Sequence, residues 1–357
     1  MIDIVRLMKP IQYCKILLVI IWCFFSPVMS FSENPPFIDG CFRYSPYGQS
    51  LLADVHPNFV RFDVASVTNH QEWDWGQTGK STRWNTFGHF GINLPLWSGR
   101  LKEGKSSLVV TLPVSASIWL DLGEPVTAPV VNTDYRIAGP VVTYVHHTDS
   151  YLIRNYSISF APYKHESTHL GDEMTIQRID NHLPLTRANV SYHYSEYAFT
   201  LNEPNCNKRS CHTFRIGLML LWNARRGWYF IDATDGDGTL AQPRFSPWEA
   251  YLQYQYQSPL KKGLFHYVAS VEVRNRALYG YPEFTWSPET VVLYELQDER
   301  RVFTYNVFLG LRFCNPKNTS YFSRASVGLR AYHGNNPYGQ FRNHANFNHV
   351  GLCIVFE

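Results

Sequence analysis

Apolar and polar residues alternate with a period of two over most of the chain. In SLVVTLPVSASIWLDL one face collects Leu108, Val110, Leu112, Val114, Ala116, Ile118 and Leu120, and the other Thr111, Ser115, Ser117 and Asp121. In FHYVASVEVRNR, Phe265, Tyr267, Ala269, Val271 and Val273 oppose His266, Ser270, Glu272, Arg274 and Arg276. FTYNVFLGLRF and WEAYLQYQYQS follow the same rule. Such alternation is the signature of strands with one apolar and one polar face. Thirteen candidate strands lie near 83–97, 107–121, 134–146, 151–163, 171–181, 188–202, 213–224, 248–258, 263–275, 290–297, 301–314, 320–333 and 347–356. Many span ten residues or more, about twice the usual soluble length and about what a tilted strand needs to cross a bilayer. Aromatic ends such as Phe303/Tyr305/Phe313 and Tyr251/Tyr254/Tyr256 are similar to interfacial girdles. The expected fold is all-β, an antiparallel transmembrane β-barrel of about 12 strands (12–14), because bacterial barrels close on an even number.

Composition agrees. Of 357 residues, 16% are aromatic and only 17% charged, and a net charge of +3 is too small for a nucleic-acid binder. Mean hydropathy of −0.24 excludes a bundle of membrane helices. Arg6, Lys9 and Lys15 precede the apolar run ILLVIIWCFF and then Ser26-Pro27-Val28-Met29-Ser30, so residues 1–30 read as a secretory signal peptide. Residues 31–80 alternate poorly and read as a periplasmic lead-in or a segment inside the lumen, with the barrel over 81–357. The final strand places Asn348, Val350, Leu352, Ile354 and Phe356 on one face, with Glu357 after the terminal aromatic.

Several stretches resemble a bacterial family of exported, outer-membrane-barrel-like proteins known only as a domain of unknown function. They are LLADVHPNFVRFDVAS (51–66), FGHFGINLPLW (87–97), DYRIAGPVVTYVHH (134–147), HESTHLGDE (165–173) and LRAYHGNNPYGQF (329–341). The resemblance implies a barrel in the bacterial outer membrane, with outer-membrane lipids and the barrel-assembly machinery as partners. It implies no activity. No nucleic-acid partner and no obligate oligomer is expected.

Candidate chemistry falls in three places. In HESTHLGDE, His165, Ser167 and His169 share one face of an extended chain. His165-x-Ser167 is similar to the His-x-Ser arrangement of outer-membrane phospholipases, with Ser167 as nucleophile, His165 as base and Glu173 or Asp172 as orienting acid. The small polar and glycine residues that follow the serine in those enzymes are replaced by Thr168-His169. The competing reading is a strand end whose charges satisfy one another. A divalent cation held by His165, His169, Asp172 and Glu173 is disfavoured by Gly171 and the strand pattern. Arg215, Arg274, Arg276, Arg312, Arg324 and Arg330, with Glu272, fall on inferred lumen faces. They make either a basic, anion-favouring pore or an Arg–Glu–Tyr network packing a narrow barrel. Cys206 and Cys211 are spaced to close a small disulfide loop. Asp232, Asp235 and Asp237 in DATDGDG lack a calcium-loop register and read as a turn. The preferred reading is a passive pore or surface scaffold without cofactor; the alternative is a lipid hydrolase, the one case in which calcium enters.

Overall fold

The computed structural model describes residues 40–41, 49–69, 81–101, 105–122, 128–150, 152–171, 185–203, 210–231, 248–260, 264–278, 282–287, 290–296, 300–314, 324–338 and 347–357. The strands in chain order are β1 (Gly40–Cys41), β2 (Val60–Asn69), β3 (Ser81–Arg100), β4 (Ser106–Asp121), β5 (Val130–Ala138), β6 (Val141–His147), β7 (Asn155–Leu170) and β8 (Leu185–Leu201). They continue with β9 (Cys211–Ile231), β10 (Trp248–Pro259), β11 (Phe265–Leu278), β12 (Pro282–Ser287), β13 (Thr290–Leu296), β14 (Arg300–Cys314), β15 (Arg324–Gly334) and β16 (Phe347–Phe356).

All pairings are antiparallel neighbours, and β16 pairs with β2 to close the sheet on itself. β5 and β6 are two halves of one stave. Both lie between β4 and β7, the first against Asn132↔Leu170 to Ala138↔Lys164 and the second against Val142↔Phe160 to His147↔Asn155. The barrel therefore has twelve staves. The break falls at Gly139-Pro140, level with Pro162 of β7 and close to Pro113 of β4. Three residues without an N–H at one height leave the ladder short of donors, so the stave divides there.

The strand expectations change at two places. Val60–Asn69, expected within a periplasmic lead-in or lumen segment, is a stave: the barrel wall begins at Val60, not residue 81. Its inward residues include Arg61 and Asp63 and its outward ones Ser66 and Thr68, which blurs the alternation on both faces. Among the described residues, Thr290–Leu296 pairs with Pro282–Ser287, as a hairpin outside the barrel sheet. The candidate at 171–181 lies, after Gly171, outside the described residues, as does the signal segment 1–30.

Burial is inverted relative to a soluble protein. Outward positions carry Ile158, Ile216, Leu218, Leu220, Leu309, Leu311, Val327, Leu329, Val350 and Leu352, all exposed. Inward positions carry Ser, Thr, Asn, Gln and ion pairs, nearly all buried. Phe303 and Phe313 mark the ends of the outward face of β14. Ten residues at ~3.4 Å each and a tilt of ~40° put those rings about 26 Å apart along the axis, the height of a bilayer's hydrocarbon band. An apolar belt of this height, rimmed by rings, is the outside of a transmembrane barrel. Connections at one end (101–105, 148–154, 202–210, 260–264, 315–323) are short, and those at the other (70–80, 122–129, 171–184, 232–247, 279–299, 335–346) are mostly longer.

Candidate functional site

Residues 49–59 turn back into the lumen before β2 begins. Leu51, Leu52 and Ala53 are fully buried there. The backbone is held by inward side chains of three staves: Leu52 N donates to Gln255 Oε1 (3.0 Å), Ala53 N to Ser270 Oγ (3.1 Å), and Asn306 Nδ2 to Ala53 O (2.5 Å). Leu52 and Phe59 pack with Val268, Phe308, Cys353 and Val355. Further along, His89 bonds Pro57 O through Nε2 and Ser117 Oγ through Nδ1. The segment needs Gly91 of β3 beside it: a Cβ there would stand 2.8 Å from both Pro57 O and Phe59 N. This segment is a plug.

The space left beside the plug is a polar cavity of about 100 Å³, lined by Asp54 and His56 of the plug and by Arg136, Lys164, Glu196, Arg215, Tyr251 and Arg274 of the wall. Its charges are paired. Lys164 Nζ contacts Glu196 Oε2, Tyr251 OH donates to Glu196 Oε1 (2.7 Å), and Arg136 donates to Glu166 (3.0 and 3.3 Å). Burial, then the guanidinium groups of Arg136, Arg274 and Arg276, holds His56 of the plug well below the ordinary imidazole range.

All six arginines singled out in the sequence, with Glu272, point into the lumen and are buried. Each has an acidic partner: Arg215 with Glu203 (3.5 Å), Arg274 with Glu272 (2.9 Å), Arg276 with Glu249 (3.7 Å), Arg330 with Asp63 (2.9 Å), and Arg312 and Arg324 with Glu357 (2.6 and 3.9 Å). Sequence reasoning missed most of the acids, and also Arg61 and Arg136, because pairing across staves is not written along the chain. The packed-network reading describes this lumen better than an open basic pore. The mouth at the long-loop end is filled as well. Tyr338 of the YHGNNPYGQ stretch stacks on Phe87 (5.3 Å) and lies against Trp119 (5.3 Å), beside Phe347.

HESTHLGDE divides between the two faces of β7. Glu166 and Thr168 point inward, to Arg136 and to Asn132 Oδ1 (3.0 Å). His165, Ser167 and His169 point outward. Glu173 and Asp172, the expected orienting acids, lie outside the described residues. The residue brought to His165 is instead His193, directly across on β8, with Nδ1 to Nδ1 3.1 Å. His193 sits in SYHYSEY, plain strand alternation that carries no signal of a site. The rings of Tyr163 and Trp222 pack beside it (5.2 and 5.6 Å). Among the described residues, no three His, Cys, Asp or Glu side chains gather as a metal-binding group. Cys211 opens β9 as a buried free thiol facing the lumen, and Cys206 lies outside the described residues, as do Asp232, Asp235 and Asp237.

No protein-family model matches the chain, and no curated protein matches it. Solved structures do. It is similar to the outer membrane phospholipase (OMPLA) dimer with bound calcium of Salmonella typhi (TM-score 0.40, 13% identity, 91% of this chain and 94% of that one). It is also similar to the outer membrane phospholipase A of Escherichia coli (0.40, 12%, 91% and 94%). A third match is the translocator domain of the autotransporter NalP of Neisseria meningitidis (0.35, 9%, 84% and 87%). The likeness is one of barrel architecture alone. By its own strand order and burial, the chain is a twelve-stranded transmembrane β-barrel with a filled lumen.

Proposed function

We propose that this protein is a sealed barrel of the bacterial outer membrane, a member of the exported family its sequence resembles, and that it works at its outer wall and loops rather than by passing solutes. The plug carries this reading: Leu51–Ala53 are fully buried inside the barrel and bonded to β10, β11 and β14. The short connections face the periplasm and the long ones the outside, as is usual for such barrels. Reconstitution of the refolded mature chain in a planar bilayer tests it. The sealed reading expects no steady conductance, and a stable open level in the unmodified protein overturns it.

A second reading, lipid-ester hydrolysis at the wall, is favoured by one observation: His165 and Ser167 share the outward face of β7 with His193 bonded to the base. His165 takes the Ser167 proton as Oγ attacks the ester carbonyl. His193 accepts the Nδ1–H of the resulting imidazolium in the role first given to Glu173. The proton passes to the departing lipid alcohol, and water then hydrolyses the acyl-serine. Phospholipid turnover by the parent and none by Ser167→Ala, with both forming heat-modifiable barrels, is expected. Equal turnover by the two, or none by the parent with and without calcium, refutes it.

A further inference from the structure

The lumen is occupied by paired charges, and the long-loop mouth by stacked rings. Among the described residues, the outer wall holds one pair of metal-ligating nitrogens that face each other across two staves, and we infer that His165 and His193 form a site for a divalent transition-metal ion. The backbone register sets the pair. His165 and His193 are direct cross-strand partners, so their side chains leave the sheet side by side on the outward face. Their Nδ1 atoms are 3.1 Å apart. A metal ~2.05 Å from each nitrogen would see them at about 98° for that 3.1 Å separation, between the octahedral or square angle and the tetrahedral one. Nitrogen pairs near a right angle suit Cu²⁺ and Ni²⁺ best and Zn²⁺ acceptably.

The surroundings fit a bound cation. The two rings are pre-placed: their centroids are 4.7 Å apart, and Tyr163 and Trp222 flank His193 at 5.2 and 5.6 Å. Trp222 is itself fixed by its Nε1–H donating to Ser195 Oγ (3.0 Å), which donates to Pro162 O (2.7 Å). Little side-chain freedom remains to be lost on binding. Both histidines are only partly buried. His165 stands toward the long-loop end of β7, with His193 opposite it at the middle of β8, beside aromatic side chains where water or headgroup oxygens reach the remaining coordination positions. Metal held between the two Nδ1 atoms replaces the His–His hydrogen bond and removes His193 as orienting partner of His165. A bound ion would therefore silence the wall chemistry of the second reading, although the site itself does not depend on that reading.

Cu²⁺ is the probe. Electron paramagnetic resonance of the refolded full chain in detergent, with chelator competition, is expected to show one copper equivalent with two-nitrogen coupling. In His165→Asn and His193→Asn that equivalent should bind at least tenfold more weakly and lose the two-nitrogen pattern. His333→Asn, an outward histidine on β15, and Ser167→Ala should leave it unchanged. Heat-shift gels establish that each variant closes its barrel, with His193→Gln as the substitute where Asn does not. Unchanged copper affinity and coupling in both the His165 and His193 variants would overturn the proposal. Failure of hydrolysis leaves the copper signal untouched, so the two readings fail separately.

Discussion

Leu52→Asp should unseat the plug without unfolding the barrel. Leu52 has no solvent exposure and lies among Phe59, Val268, Phe308, Cys353 and Val355, an apolar nest in an otherwise polar lumen. The substitution removes about 2–3 kcal/mol of apolar transfer. It also places a carboxylate among groups that offer no cationic partner, a cost of several kcal/mol more. The sum, about 5 kcal/mol, moves the ratio of seated to displaced plug by roughly 10³–10⁴. The wall's own ladders are untouched, because Leu52 belongs to no stave. Single-channel recording should show a silent parent and opening bursts in Leu52→Asp. Leu52→Met, which nearly conserves volume, should stay silent. A Leu52→Asp protein that is heat-modifiable yet as silent as its parent would refute the reasoning, and the seal would then have to lie at the aromatic mouth.

Three further outcomes follow from the buried charges. Removing Glu357 leaves Arg312, whose side chain is 1% exposed, without its two carboxylate bonds (2.6 and 2.9 Å). Unfolding by urea in a lipid bilayer should show about 3–5 kcal/mol less stability, with Glu357→Gln losing less. Asp63→Asn takes away the anion between Arg61 (3.2 Å) and Arg330 (2.9 Å) and should cost a similar amount, part of which Arg330→Met restores, since it removes one of the facing cations. Acid should loosen the plug. His56 is held neutral in the seated plug and titrates near 6.5 when released, so the released state takes up the proton first as pH falls. Stability of the seated form is full above 6.5 and declines below it, by about 1.4 kcal/mol per pH unit until His56 protonates in place. Opening frequency should rise between pH 6.5 and 4.5 and rise less in His56→Leu; identical pH dependence in the two would exclude His56 as the source.

The alternation along β4, β10, β11 and β14 was enough, by itself, to establish an all-β barrel with polar residues inside. A period of two fixes which residues share a face, and strand lengths match a bilayer. The arginines on the polar faces of β9, β11, β14 and β15 were legible for the same reason. What each arginine meets was not. Arg330 finds Asp63 at a sequence separation of 267, through the closure of β16 on β2, and that pairing exists only once the barrel is round. β2 itself was obscured because it carries buried charges that local pattern reads as irregular: Asp63 is satisfied by Arg330 far along the chain, and Arg61 by Asp63 and the plug carbonyls of Asp54 and Val55. The plug was legible only as one of two alternatives for residues 31–80, a lead-in or a lumen segment, since LLADVHPNF is as apolar as a strand and only the lumen's polar side chains show where it lies. In HESTHLGDE the residues are adjacent in sequence and divided in space, because successive side chains of a strand leave on opposite faces. The partner of His165 is set by register between β7 and β8, which places His193 beside it and depends on pairing that no local stretch encodes.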